Sequence, residues 1–423
     1  MQHITQTNKK EKAILVGVVL PGLRRHQALE HLDELALLAD TAGAIVVGRE
    51  LQEIRAPHPA TLIGKGKVGT VARLAEELGA DVVLFDEDLT PVQAKNLEKE
   101  IKKRVVDRSG LILDIFARRA RTAEAQAQVA LAQLQYLLPR LTRQWSHLER
   151  QEGAIGTRGP GETQLETDRR LIHKRIGLLK DELEKIRLQR DVRRRRRDAL
   201  QKAALVGYTN AGKSSLLNAL AGSGVHVEDR LFATLDATVR TLALSRNDKV
   251  LLIDTVGFIR KLPAHLVASF RSTLEEAAEA DVLLHVIDAS HPNLDDHVGT
   301  VQQVLDELGL ADRPVIPVFN KIDLLEDGRF IDTQARRFPG AVFVSALRGI
   351  GLERLRRAIA ERFEADREIL EVRIPFTRPE RLAAVHGMAE ILEKRYEEDG
   401  AVLVLRASGP NAERIREMLS GEE

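Results

Sequence analysis

Gly207-Tyr208-Thr209-Asn210-Ala211-Gly212-Lys213-Ser214 follows directly on the apolar run 203–206 and precedes a helix-like segment, 215–221, apolar at Leu216, Leu217 and Leu220. This is the spacing G-x-x-x-x-G-K-[ST], placed between a strand and a helix as a phosphate-binding loop requires. Glycines let the backbone wrap a triphosphate, and successive N–H groups turn inward as donors to its oxygens. Lys213 is placed to reach the outer phosphates, and the Ser214 hydroxyl to bind Mg²⁺. The helix that follows adds the positive end of its dipole. Alone, the loop says only that a triphosphate is a ligand.

The segments downstream name the base. Residues 249–253 form an apolar strand closed by Asp254-Thr255-Val256-Gly257. Asp254 suits Mg²⁺ held through water, and the Gly257 N–H suits a γ-phosphate. A second apolar strand, 314–319, ends at Asn320-Lys321-Ile322-Asp323. A carboxylate there accepts from both N1–H and the exocyclic amine of guanine, a donor pair adenine lacks. The Asn320 amide suits the purine edge, and the Lys321 stem can cover the ring face. A third strand, 341–344, ends at Ser345-Ala346-Leu347, whose N–H groups suit guanine O6. Each piece alone is an ordinary turn or strand end. In this order, at the carboxyl ends of parallel strands, they imply a GTP site with catalytic roles for Lys213, Gly257, Asn210 and a switch threonine.

The position after Gly257 shapes the mechanism. Many small GTPases carry there a glutamine that orients water; this chain carries Phe258, so unaided hydrolysis is expected to be slow. Asn210 resembles the asparagine of GTPases that use K⁺ in place of an arginine finger. Between the loop and Asp254 lies Leu231-Phe232-Ala233-Thr234-Leu235-Asp236-Ala237-Thr238, in the place of a switch. Thr234 is the better candidate for a second Mg²⁺ hydroxyl and Thr238 the alternative; spacing does not decide between them.

The chain has 423 residues, enough for about three domains, and 43% apolar content, enough for sizeable cores. It has no cysteine, which excludes disulfides, thiolate catalysis and Cys-ligated zinc, and its twelve histidines show no metal-site spacing. A polar N-terminus and the lack of a membrane-length apolar run lead us to expect a cytoplasmic protein.

Net charge is +1, yet residues 117–202 carry 21 Lys and Arg against 11 Asp and Glu. That basic segment within an otherwise acidic chain suggests a polyanion partner. Leu131, Leu134, Leu138, Leu141, Trp145 and Leu148 form one heptad-like stripe; Leu165, Ile172, Ile176, Leu179, Leu183 and Ile186 form another. The breaker-rich stretch 153–161 between them predicts an antiparallel helical hairpin with Arg158 at its tip. Pro139 should kink or split the first helix. Five arginines, 193–197, close the second, either as a solvated end or as a phosphate contact.

Before the hairpin, strand-like runs at 13–20, 44–47, 82–85 and 105–106 alternate with helical patterns at 26–40, 68–78 and 91–103. Ile63-Gly64-Lys65-Gly66-Lys67-Val68 stands before one of those helices, and reads as a tight turn, a nucleotide-binding turn or an RNA-backbone contact. After the nucleotide-binding region, strands at 371–376 and 401–405 flank a helix at 381–396, with another at 411–419. The fold expected is α/β: a P-loop GTPase domain (200–364) with an N-terminal α/β domain (1–116), a basic antiparallel helical hairpin (117–199) and a small C-terminal α+β domain (365–423).

Arg158-Gly159-Pro160-Gly161-Glu162-Thr163-Gln164-Leu165-Glu166, followed by a basic helix and a GTPase region with Phe232-Ala233-Thr234-Leu235-Asp236, resembles the HflX GTPases over essentially the whole chain. The resemblance places the Mg²⁺ threonine at Thr234. It implies a monomeric factor that binds the large ribosomal subunit and its RNA, splits or rescues stalled ribosomes, and meets a ribosomal protein through its C-terminal domain. The alternatives are a ribosome-assembly or RNA-modification GTPase and a protein-targeted signalling switch; the family also suggests ATP binding or hydrolysis in the N-terminal domain. The sequence departs from the family's pattern at 151–156, which holds fewer glycines.

Overall fold

A computed structural model describes residues 10–141, 164–194, 200–222, 231–235, 238–244, 249–261, 278–365 and 367–420. They fall into two compact units, one with residues up to 186 together with 231–235 and 261, the other with the rest.

In the first unit, β1 (Lys12–Val19), β2 (Ile45–Glu53), β3 (Val82–Phe85) and β4 (Arg104–Asp107) make a parallel sheet in the order β2-β1-β3-β4. β1 is buried from Ala13 to Val19, as suits a continuous apolar run at the centre of a parallel sheet. Helices α1 (Arg25–Thr41), α2 (Lys65–Glu77), α3 (Pro91–Ile101) and α4 (Arg108–Arg119) alternate with the strands. α3 begins where Thr90 and Gln93 cap each other reciprocally and Pro91 presets the first turn. α2 starts earlier than its apolar period indicates. Lys65 and Lys67 therefore sit in its first turn, not before it, and Lys67 pairs with Glu50.

Pro139 splits the first stripe as expected. α5 (Ala123–Leu137) stops before it and a single 3₁₀ turn, Leu138–Leu141, follows. The long α6 (Gln164–Arg194) packs its own stripe against α5: Leu131, Ile176 and Leu179 are buried together, with Leu134, Ile172 and Leu183 alongside. Asp107 at the end of β4 fastens α5 and the 3₁₀ turn to the sheet. It accepts from the Tyr136 hydroxyl at 2.7 Å, Arg140 Nη2 at 2.7 Å, and the N–H groups of Leu89 and Gly110 at 3.1 and 2.9 Å. Burial and the neighbouring Asp107 charge push the Tyr136 phenol far above its ordinary range. Trp145, Leu148, the turn with Arg158, residues 158–163 of the R-G-P-G-E-T-Q-L-E run, and residues 195–197 lie outside the described residues.

In the second unit, β5 (Gln201–Gly207), β6 (Thr238–Ala243), β7 (Lys249–Asp254), β8 (Val282–Asp288), β9 (Val315–Asn320) and β10 (Val342–Phe343) form a six-stranded sheet ordered β10-β9-β8-β5-β7-β6. Every pair is parallel except β6 with β7. α7 (Lys213–Ala221), α8 (Leu294–Glu307), α9 (Arg329–Arg337) and α10 (Leu352–Ala365) accompany it. Leu216, Leu217 and Leu220 of α7 and Leu355, Ile359 and Phe363 of α10 enter the same core as the strands.

The C-terminal region corrects one expectation. The helix read at 381–396 is α11 (Pro379–Met388), ended by Ala389 in extended geometry and followed by a strand, β12 (Glu390–Tyr396). With β11 (Glu368–Pro375) and β13 (Gly400–Ala407) it makes an antiparallel sheet ordered β11-β13-β12, on which α11 and α12 (Gly409–Ser420) pack. β13 is buried at alternate positions and needs hydrogen-bonding partners on both sides, so pairing overrides the helical spacing of Val385, Met388 and Ile391. No helix among the described residues is long and apolar enough to cross a membrane.

Candidate nucleotide site at the carboxyl edge of the six-stranded sheet

β5 lies between β7 and β8, so the loop after it rises where neighbouring connections leave in opposite directions, the usual crevice of such sheets. The loop's geometry is special: Asn210 and Gly212 take left-handed φ of 62° and 91°. At Gly212 a side chain is excluded twice over, by that φ and because a Cβ would meet Asn320 Nδ2 at 2.3 Å. α7 starts at Lys213, presenting first-turn N–H groups that have no acceptor within the helix. Such an alternating loop opening on a helix N-terminus makes a concave, anion-binding nest.

Lys213 is buried and donates through Nζ to the Gly207 and Tyr208 carbonyls at 3.0 and 2.9 Å. Burial lowers its ammonium to about 8, while Asp254 pulls in the opposite direction. Ser214 Oγ donates to Asp254 Oδ2 at 2.6 Å, bringing two of the expected Mg²⁺ groups together. These are hard oxygen donors of the kind Mg²⁺ takes. Thr255 is tied down by donating to the Leu205 carbonyl at 2.7 Å.

The start of the second switch segment is zipped onto the loop. Thr209 N–H donates to the Phe258 carbonyl at 2.6 Å, and Phe258 N–H to the Gly207 carbonyl at 3.1 Å. A Cβ on Gly257 would lie 2.7 Å from Thr209 Cα and 3.0 Å from Lys213 Nζ, so this position passes too close to the loop for any side chain. Phe258 is 1% exposed, a core aromatic with nothing to offer a water. Val256 is buried beside it.

At the base-binding end Asn320 bridges two loops. Asn320, buried, donates through Nδ2 to the Ala211 carbonyl at 2.9 Å and accepts the Ala346 N–H on Oδ1 at 3.0 Å. It couples the phosphate loop to the Ser345-Ala346-Leu347 loop through both ends of its amide. Ser345 N–H is used by the Ile350 carbonyl at 3.0 Å, and Leu347 is 82% exposed. Lys321, at φ 64°, pairs with Asp288 at 2.7 Å. Ile322 and Asp323 follow in a 3₁₀ turn, Ile322–Leu324, half-buried.

Phe232, Ala233, Thr234 and Leu235 belong to the first unit, where the Phe232 ring meets Phe116 edge-on at 4.7 Å. Lys261 belongs there too, pairing with Asp86 at 3.2 Å and with Glu87. Thr238 begins β6 directly opposite Asp254. Asp236 lies outside the described residues. Three features escaped the sequence reading. His285 on β8 is 7% exposed, and burial with the nearby Lys213 charge pushes its imidazole down to about 4. Asp288 holds Lys321. Tyr208 stacks on His297, ring centroids 3.7 Å apart. A lone histidine within the apolar strand Val282–Asp288 was the visible signal for the first; nothing local announces the others.

Residues 29–117 match the family described as GTP-binding GTPase N-terminal, 119–197 the GTP-binding GTPase middle region, and 202–321 the 50S ribosome-binding GTPase. A GTPase HflX of Flavobacterium psychrophilum is 45% identical over 394 residues, covering 88% of this chain and 94% of its own. A GTPase HflX of Caldanaerobacter subterraneus subsp. tengcongensis is 43% identical over 412 residues, 97% of this chain and 94% of its own. A GTP-binding protein of the archaeon Sulfolobus solfataricus, solved in complex with GDP, is 27% identical, covers 83% of this chain and 98% of its own, and superposes with a TM-score of 0.43. With two such relatives matched along nearly their whole length, the chain belongs to the HflX family of GTPases.

Proposed function

We propose that this GTPase binds the large ribosomal subunit and splits or rescues stalled ribosomes, with GTP as the state that holds it there. The observation that carries the reading is the joining, in one chain, of two parts. Residues 202–321 resemble a family described as 50S ribosome-binding GTPase, and they follow directly on the basic α6. The run of five arginines at 193–197 has, by residue type, the chemistry that suits RNA phosphates. The small C-terminal sheet is the candidate surface for a ribosomal protein.

At the nucleotide, loop amides and Lys213 hold the phosphates, and Asp323 reads the guanine edge. Asn320 acts from behind, fixing the Ala211 and Ala346 backbone that the base and phosphates meet. Ser214 and Thr234 would ligate Mg²⁺ directly and Asp254 through water. Held there, Mg²⁺ would supply charge neutralisation at the phosphate oxygens. Gly257 N–H meets the γ-phosphate and orders the switch only in the GTP form. Phe258 is buried and cannot position the attacking water, so that task falls to the ribosome, and hydrolysis releases the factor. Asn210, exposed and left-handed, is the residue we assign to K⁺.

The test is GTP turnover with and without purified large subunits. Stimulation of at least about ten-fold, the scale of one positioned catalytic contact, is expected; an unchanged rate would overturn the reading.

A further inference from the structure

We propose that Tyr208 is a positioning residue for GTP hydrolysis, its hydroxyl holding the second switch segment so that the Gly257 N–H faces a γ-phosphate. Phosphate loops bind through backbone, so a large aromatic at this loop position needs another reason. Tyr208 is 6% exposed, and its hydroxyl accepts the Arg260 N–H at 3.0 Å. The ring lies flat on His297 near the start of α8, 6° from parallel, and His297 in turn meets His291, centroids 4.1 Å apart. His291 is fixed by accepting the Asn293 N–H on Nδ1 at 3.1 Å. The hydroxyl is thus held at a defined height by a stack anchored on α8.

Three of the described bonds hold residues 258–260 to the phosphate loop. Two are backbone bonds at Phe258, with Gly207 and Thr209; the third is the Tyr208 hydroxyl on Arg260. The third comes from a side chain. Gly257 lies just before the gripped segment, against Thr209 and Lys213. Releasing Arg260 loosens the C-terminal side of the turn that carries the γ-phosphate donor while leaving the loop around the other phosphates intact. GDP lacks the γ-phosphate, so the hydroxyl should be felt in GTP-state binding and turnover and not in GDP binding. The proposal concerns turnover by the chain alone and stands or falls separately from the ribosomal reading.

Tyr208→Phe removes the hydroxyl and keeps the stacked ring. In the full chain with Mg²⁺, affinities for GDP and for a non-hydrolysable GTP analogue are measured beside unstimulated kcat. Analogue affinity and kcat are expected to fall about five-fold, the scale of one hydrogen bond, with GDP affinity within about two-fold of wild type. The proposal is overturned if GDP affinity falls as much as analogue affinity, or if the preference for the analogue over GDP stays at its wild-type value.

Discussion

The Asn320 side chain donates to the Ala211 carbonyl at 2.9 Å, joining the phosphate loop to a strand end 109 residues further along the chain. The same amide accepts from Ala346, so one buried side chain sets the spacing between the phosphate end and the base end of the site. Asn320→Ala removes both bonds and leaves a buried carbonyl and N–H unsatisfied. GTP and GDP affinities should both fall, by about 30-fold or about 2 kcal/mol, since the coupling does not involve the γ-phosphate. Equilibrium titration with a fluorescent GDP and GTP analogue reads this directly. A loss confined to the GTP analogue would contradict it.

Lys213 gives a proton-linked prediction. Its ammonium is lowered to about 8 by burial. Phosphates binding against it favour the charged form, so binding at pH 8.5 must draw protons onto the protein, on the order of half a proton or more, and almost none at pH 7. Calorimetry in two buffers of different ionisation heat measures the uptake. No difference between the two pH values would show that the lysine is already fully charged in the free protein.

His285 gives an acid-stability prediction of definite sign. Its folded value of about 4 lies below the ordinary 6.5, so at intermediate pH the unfolded chain carries the proton and the folded chain does not. Stability from this group is full above about 6.5 and is lost as pH falls toward 4. Between pH 7.5 and 5 the loss is about 2 kcal/mol. His285→Leu should flatten that part of the profile in urea unfolding, and an unchanged slope would rule the assignment out.

Asn210 is assigned to a monovalent cation, so unstimulated and ribosome-stimulated turnover should be faster in K⁺ than in Na⁺ at equal ionic strength. Asn210→Ala should erase the difference. Equal rates in the two salts for the wild-type chain would sink the assignment.

Where local chemistry is strong, the sequence was a good guide. The loop 207–214 lies where its glycines and lysine require, and β3 and the strands leading into Asp254 and Asn320 were recognisable as apolar runs closed by a polar residue. β6 was not, because Thr238–Ala243 is a half-exposed edge strand with no clear alternation. β12 was misread because its apolar residues continue the helical spacing of α11, and only the demand of β13 for a second partner reverses that. At the site, residue identities were legible but couplings were not. The sequence suggests Asn320 for the purine edge, but its bonds to Ala211 and Ala346 join loops that meet once β5, β8 and β9 are side by side. The Tyr208–His297 stack arises in the same way, from the adjacency of β5 and β8. Thr234 and Thr238 were indistinguishable by spacing, and the family resemblance rather than geometry favours Thr234.

The central claim is that GTP places this protein on ribosomes and drives their subunits apart. Sedimentation of intact ribosomes mixed with the full chain tests it most directly, with GTP, a non-hydrolysable GTP analogue or GDP in parallel. The account predicts separated subunits with GTP and with the analogue, the protein remaining on the large subunit in the analogue sample, and intact ribosomes with GDP. Ribosomes that stay whole with all three nucleotides, or that split equally well with GDP, would contradict it.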